Sequence, residues 1–331
     1  MSQTGKALIY DPQGVDSLLY CSQNPVPVVV GKKEILIKVL AAGLNPVDYK
    51  LPLMMPMRLL KGKPVGQDVC GTVVKVGKKV ADFAEGDLVC GFGGGLSEYT
   101  IVSSGEVIKV PEGVSSEVAG CVGVAGLTAY QMLKKNGAFE GSDAKKILVI
   151  GASGGVGSLV VQIAKALCPS GSVIYGMCSS RSADFVKGLG ADELVDYTAT
   201  GFSLAKAIPV GSLDLVADCV TSPEDPNYVP EGMQLIKPKT GKYVAINTAS
   251  KFDWMRCIFG NMMGFNLFRG KYSLLLCEHK PADLQAVTEL IAQGKLKIHI
   301  HAKPAFTEDN VRNSYSELKA RRVHGKIVVV M

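Results

Sequence analysis

The run Lys146-Ile147-Leu148-Val149-Ile150-Gly151-Ala152-Ser153-Gly154-Gly155-Val156-Gly157 constrains this chain more than any other stretch. A short apolar strand enters a turn of small residues, and an amphipathic helix follows at once. Leu159, Ile163 and Leu167 share one helical face, with Val160 and Ala164 beside them. A dinucleotide fingerprint requires this strand–turn–helix context. Small residues let the backbone approach a pyrophosphate, and the helix N-terminus offers N–H groups and positive dipole charge to it. The pattern departs from G-x-G-x-x-G at its first position, Ala152, whereas Gly154 and Gly157 are in place. Ala152, Ser153, Gly154, Gly155, Val156 and Gly157 are therefore the expected cradle.

At 331 residues the chain is long enough for two domains of ordinary size. Residues 1 to 120 read as β-rich, with runs such as Ile35–Leu40, Gly71–Val76 and Asp87–Gly91 punctuated by glycine and proline. Strands and helices then alternate. Candidate strands are Ile147–Ile150, Val173–Met177, Glu193–Val195, Leu213–Asp218, Lys242–Ile246 and Ser273–Leu276, a pattern that implies α/β architecture with a doubly wound parallel sheet. A helix (Pro281–Gln293), a strand near Ile298–His301, a helix (Glu308–Arg322) and a strand (Lys326–Val330) complete the chain.

Nine cysteines without a Cys-x-x-Cys pair argue against a disulfide framework and for a reducing compartment. The N-terminus lacks an apolar signal segment, so the expected location is the cytoplasm, or the periphery of an organelle membrane. The apolar segment from Phe252 to Leu276 is interrupted by Arg256, Arg269 and Lys271 and does not read as a membrane span. It reads first as core, with a hydrophobic substrate wall or an interfacial patch as the alternatives. The net charge of +6 suits a polyanionic cofactor, but the charge is too dispersed to predict a nucleic-acid partner.

The residue closing the second strand of such a sheet discriminates between nicotinamide cofactors, because an acidic side chain there accepts from a ribose 2′-OH. Here the place holds Cys178, followed by Ser179, Ser180 and Arg181. Two hydroxyls and a guanidinium suit a 2′-phosphate, so the expected cofactor is NADPH. The alternative reading of Arg181 is a surface residue opening the next helix.

Several further motifs occur in order. They are Ala42-Gly43-Leu44-Asn45-Pro46-Val47-Asp48-Tyr49-Lys50, Gly66-Gln67-Asp68-Val69-Cys70-Gly71, Phe83-Ala84-Glu85-Gly86-Asp87, Gly94-Gly95-Leu96-Ser97-Glu98-Tyr99, Val124-Ala125-Gly126-Leu127-Thr128-Ala129-Tyr130, Gly190-Ala191-Asp192 through Tyr197, and His324-Gly325-Lys326. On these the chain resembles the medium-chain dehydrogenase/reductase superfamily over nearly its whole length. Within it the chain is most similar to the zinc-free quinone oxidoreductases and the plant enone oxidoreductases.

The resemblance implies a β-rich GroES-like catalytic domain (residues 1–124 and 273–331) and a Rossmann domain (residues 125–272). Zinc-dependent members carry Cys, His and Cys where this chain has Asn45, Gln67 and Val124, which suit zinc poorly. His299 and His301 alternate along an expected strand but read as solvent-facing, and no metal is expected. Without a Lewis acid, the implied chemistry is hydride transfer to the activated C=C of α,β-unsaturated carbonyls, or to quinones. Lys50 and Asn45, with Tyr49 as a weaker candidate, are the implied catalytic residues, with a solvated lysine and a helix cap as the respective alternatives. Thr128, Tyr197, Asn247 and Lys326 join the fingerprint and Ser179–Arg181 on the cofactor side. The expected partner is a small-molecule enone or quinone, and the expected state a homodimer or monomer. A catalytically weak nucleotide-binding protein acting by interaction is the alternative function.

Overall fold

The computed structural model describes residues 3–28, 30–262 and 270–331. The chain divides into two compact units. One comprises the residues up to Leu127 with His279–Gly294 and Ile298–Met331; the other comprises Thr128–Glu278 with Lys295–Lys297. The sequence expectation sets these boundaries at 124 and 272. Helix Gly123–Lys134 runs across the first boundary, and strand Tyr272–Leu274 still belongs to the sheet of the second unit.

The first unit is built on a seven-stranded sheet and a separate two-stranded hairpin, Thr4–Val15 with Leu18–Pro25. In the larger sheet, strand Glu34–Gly43 is central. It pairs antiparallel with Asp68–Val76, with Tyr99–Ser103 and with the last strand, Lys326–Val330. Alternation along these strands buries Ile35, Ile37, Val39, Val69, Val73, Val89, Val102 and Val107 together. Each such side chain contributes roughly 1.5–3 kcal/mol by leaving water.

The second unit is a six-stranded, wholly parallel sheet. Its strands are Lys146–Ile150, Val173–Cys178, Glu193–Asp196, Leu215–Asp218, Lys242–Ala245 and Tyr272–Leu274. Numbered along the chain, they lie side by side in the order third, second, first, fourth, fifth, sixth. That is the doubly wound dinucleotide-binding order, with its switch point beside the first strand. Ile147, Leu148, Val149 and Ile150 are all fully buried, as a strand covered on both faces requires.

Several expected elements shift in extent. The fourth parallel strand begins at Leu215, with Leu213 held by an isolated bridge to Ile236. The late strand is Ile300–Ala302, so His299 precedes it; both His299 and His301 are exposed. The segment expected first as core is instead an exposed apolar face over part of its length. On helix Lys251–Met262, Cys257 is buried, but Phe252, Met255 and Phe259 are more than half exposed. The part of that segment at 263–269 lies outside the described residues. Among the described residues no helix is long and apolar enough to cross a membrane.

Candidate functional site

The expected site residues fall in two constellations, one in each unit. In the second unit the first parallel strand ends at Ile150 and the chain turns through Gly151 at φ +78. The turn closes with the Gly154 N–H donating to the Gly151 carbonyl at 3.1 Å, and helix Gly157–Leu167 begins. A Cβ at Gly157 would lie 2.2 Å from the Gly151 oxygen, so the turn itself forbids any side chain there. At Gly154 the nearest atom to an added Cβ is 3.5 Å away, so nothing in the protein demands a glycine. The residue type is explained if that space is left for a ligand approaching the backbone. Ala152, the departure from the fingerprint, is fully buried, and its methyl packs toward Gly176 of the second strand. Ser153, Gly155 and Val156 complete the turn, each half-buried. The residues present fit a nicotinamide dinucleotide.

The second strand ends at Cys178, and Ser180–Ser182 form a single 3-10 turn behind it. Ser179 is buried, with its hydroxyl 3.3 Å from that of Ser182; Ser180 and Arg181 are exposed. Arg181 forms no ion pair among the described residues. Tyr197 follows the third strand, 45% exposed, with its N–H donating to the Cys178 carbonyl at 3.2 Å. Asn247 follows the fifth strand, where its Oδ1 accepts from the Thr248 N–H at 2.8 Å and the Trp254 indole N–H at 3.0 Å. Thr128 is buried in the second turn of helix Gly123–Lys134.

In the first unit the structure gathers a buried polar cluster that the sequence analysis saw only in pieces. Asn45 is the N-cap of helix Pro46–Met54 and is 4% exposed. Its amide Nδ2 donates to the Asp68 carboxylate at 2.9 Å, and its Oδ1 accepts from the Lys326 ammonium at 2.6 Å. Lys326 also donates to the Leu44 carbonyl at 3.0 Å and to Asp68 at 3.2 Å. An ammonium has three protons, and these three contacts engage them inside the first unit. Lys326, expected on the cofactor side, places its ammonium in this cluster.

Asp68 is the hub. Its Oδ1 accepts the Val124 N–H at 2.6 Å, while Oδ2 serves Asn45 and Lys326. Gly43 and Gly123 make room for it, since a Cβ on either would approach a carboxylate oxygen to 2.8 or 2.6 Å. The three positions occupied by zinc ligands in zinc-dependent dehydrogenases are thus Asn45 and Val124, both bonded to Asp68, and Gln67, whose N–H donates to the Asp48 carboxylate at 3.1 Å. Among the described residues no group of His, Cys, Asp and Glu side chains is arranged to hold a metal.

Asp48 is the second buried carboxylate. It accepts from the Asn45 N–H at 2.8 Å and the Tyr315 hydroxyl at 3.2 Å. Burial above all, and then the nearby Asp68 charge, pushes its pKa up to about 7, against the pull of its hydrogen bonds and of Lys326. Tyr49 packs edge-on against Tyr315, with ring centroids 5.7 Å apart. Lys50 stands mid-helix on the same segment, half-buried. Sequence reasoning missed Asp68 and Tyr315 as site residues. The available signal for Asp68 was a carboxylate at the head of a strand that continues with Val69, Cys70 and Gly71; Tyr315 left none.

Residues 31–112 match the alcohol dehydrogenase GroES-like domain, and residues 189–329 match the zinc-binding dehydrogenase domain. A chloroplastic quinone-oxidoreductase from Triphysaria versicolor is 32% identical, with 98% of each chain covered. The 2-methylene-furan-3-one reductase of Solanum lycopersicum is 31% identical, over 98% of this chain and 78% of that one. The solved quinone oxidoreductase of Coxiella burnetii superposes with a TM-score of 0.82 at 26% identity, covering 98% of this chain and 99% of that one. A mycobacterial protein complexed with NADPH shares the fold, with a TM-score of 0.79 at 24% identity over 98% of this chain and all of that one. The chain belongs to the medium-chain dehydrogenase/reductase superfamily and is an NAD(P)H-type oxidoreductase related to quinone oxidoreductases and enone reductases.

Proposed function

We propose that this protein is an NADPH-dependent, zinc-independent reductase acting on the conjugated C=C of α,β-unsaturated carbonyls or on quinones. The observation that carries the reading is the Asn45–Asp68–Lys326 cluster. At the positions where zinc-dependent relatives hold metal ligands, this chain has an amide and two backbone N–H groups turned inward to carboxylates. Amide and aliphatic side chains are poor zinc ligands.

The reduced nicotinamide, when bound, supplies the hydride. The chain's own residues supply the rest. Gly157 lets the turn close on the Gly151 carbonyl, and Gly154 would leave its backbone open to a pyrophosphate. Arg181, Ser179 and Ser180 present charge and hydroxyls at the end of the second strand. Thr128, Tyr197 and Asn247 are proposed to line the same nucleotide. Lys50 would stabilise negative charge developing on the acceptor oxygen, as a preorganised cation does in a dry site. Asn45, fixed by Asp68 and Lys326, would hold the acceptor in register, with Tyr49 beside it on the same helix.

The test is an NADPH-oxidation assay of the purified chain against a panel of enones and quinones, with metal analysis of the same sample. Turnover with substoichiometric metal is the expected outcome. Tight NADPH binding without turnover across the panel would overturn the catalytic reading, and stoichiometric, activity-linked zinc would overturn the metal-free one.

A further inference from the structure

The carboxylate that a ribose-binding site needs is missing from the end of the second parallel strand, where Cys178 stands. It is present one strand over. Asp196 closes the third strand and is the register partner of Cys178. Its Oδ1 accepts both the Thr198 N–H at 2.8 Å and the Thr198 hydroxyl proton at 2.5 Å. The Ser180 hydroxyl lies 3.4 Å from the Thr198 hydroxyl.

The order of these bonds sets the direction of the protons. Thr198 has one hydroxyl proton and gives it to Asp196, so toward Ser180 it is an acceptor. Ser180 then donates to Thr198 and turns its lone pairs outward. An outward lone pair accepts from a ribose 2′-OH, whereas a 2′-phosphate requires donors. The hydrogen bonds from Thr198 hold the Asp196 carboxyl below the usual carboxylate range, so it is an anion at neutral pH. Arg181, one residue from Ser180 and exposed, carries the opposite charge and the opposite preference.

We propose that Asp196 is a specificity-determining residue, acting directly through its charge and indirectly through Thr198 and Ser180, which opposes Arg181 so that the chain accepts both NADH and NADPH. The inference rests on the nucleotide-binding reading above and refines it: the preference for the phosphorylated cofactor is a balance between two charged groups. Because both groups reach solvent, each is expected to change affinity by about five- to tenfold, and the wild-type preference for NADPH lies within about tenfold.

The experiment is titration of the full chain with NADH and with NADPH, read by nucleotide fluorescence or calorimetry. D196N is expected to raise the NADPH-over-NADH affinity ratio by about five- to tenfold. T198V, which keeps the carboxylate but frees the Ser180 proton, is expected to shift the ratio in the same direction by less. An unchanged ratio in D196N, or a shift toward NADH, overturns the assignment. Should D196N fail to fold, T198V decides, and an unchanged ratio there is equally fatal. A wild-type chain that binds neither nucleotide would instead sink the nucleotide-binding reading itself.

Discussion

The Lys326 ammonium lies 3.2 Å from the Asp68 carboxylate, with the two side chains only 4% and 0% exposed. A pair so deeply buried gains little net stability from its own attraction, because both ions have left water. Its partners make it costly to break. Asp68 also fixes the Asn45 amide and the Val124 N–H, and Lys326 also fixes the Leu44 carbonyl.

Lys326→Met is therefore expected to destabilise the chain by about 3–5 kcal/mol, the cost of leaving one buried charge uncompensated. Urea unfolding gives the number. A loss under about 1 kcal/mol would place the pair with ordinary surface bridges and remove it from the architecture of the site.

Two glycines of the nucleotide turn separate folding from binding. Gly157→Ala sets a methyl 2.2 Å from the Gly151 oxygen and is expected to lower the melting temperature and abolish nucleotide binding together. Gly154→Ala meets nothing closer than 3.5 Å and is expected to keep its melting temperature within about 2 °C, since its cost in stability is small. Its methyl occupies the space left for the pyrophosphate, so NADPH affinity should fall at least about tenfold. Undiminished affinity in Gly154→Ala would show that the nucleotide backbone does not pass there.

What was legible in the sequence was local. The strand–turn–helix around Gly154 is contiguous, so its small residues and apolar periodicity specify the element. The parallel sheet followed from repetition of that pattern, and Asn45 was reached through its neighbours in the motif. The Asp68 cluster was not legible in the same way. Asn45, Asp68, Val124 and Lys326 are scattered across nearly 300 positions and meet only because the last strand pairs with Glu34–Gly43. The motif around Lys326 marks the start of the last strand but says nothing of the Leu44, Asn45 and Asp68 contacts of its ammonium. Asp196 was overlooked because the rule for ribose recognition looks along one strand, whereas the carboxylate stands on the next.

Arg181→Ala is expected to weaken NADPH by about five- to tenfold while leaving NADH within about twofold, because a guanidinium–phosphate contact is charge-assisted. The NADPH penalty should shrink as salt rises, since Arg181 is exposed and its interactions are screened over roughly 8 Å at physiological ionic strength. Parallel titrations at low and high salt measure both effects. Equal losses for the two nucleotides would assign Arg181 to the surface of the helix that follows.

Lys50→Ala is expected to lower kcat by about tenfold to a thousandfold while nucleotide affinity stays within about twofold, since a charge that acts on the developing oxyanion contributes mainly in the transition state. Lys50→Arg keeps the charge and should recover part of the rate. The measurement is steady-state kinetics beside nucleotide titration on the same preparations. An unchanged kcat in the alanine variant would take Lys50 out of the mechanism.

Asp48 gives the chain an unusual dependence of stability on pH. An aspartate in the unfolded chain titrates near 3.9, whereas burial pushes the folded Asp48 up to about 7. Between those values the folded chain holds a proton that the unfolded chain has released. The contribution of Asp48 is thus fully present below about pH 4 and is lost as pH rises through 7, by at most about 4 kcal/mol. Asp87, Glu117, Asp192 and Asp196 are held below the usual carboxylate range and act with the opposite sign, but only as pH falls below about 4. The groups that face Asp48 directly are Asp68, Lys326, Tyr10 and Tyr315, and the tyrosines stay neutral throughout because burial and the Asp48 charge raise their pKa values. Urea midpoints measured between pH 5.5 and 8 are expected to fall with rising pH in the wild type. Asp48→Asn, which cannot titrate, should show a flatter profile over the same window. Superimposable slopes would mean that Asp48 is ionised throughout, its three donors (Asn45, Gln67 and Tyr315) outweighing its burial.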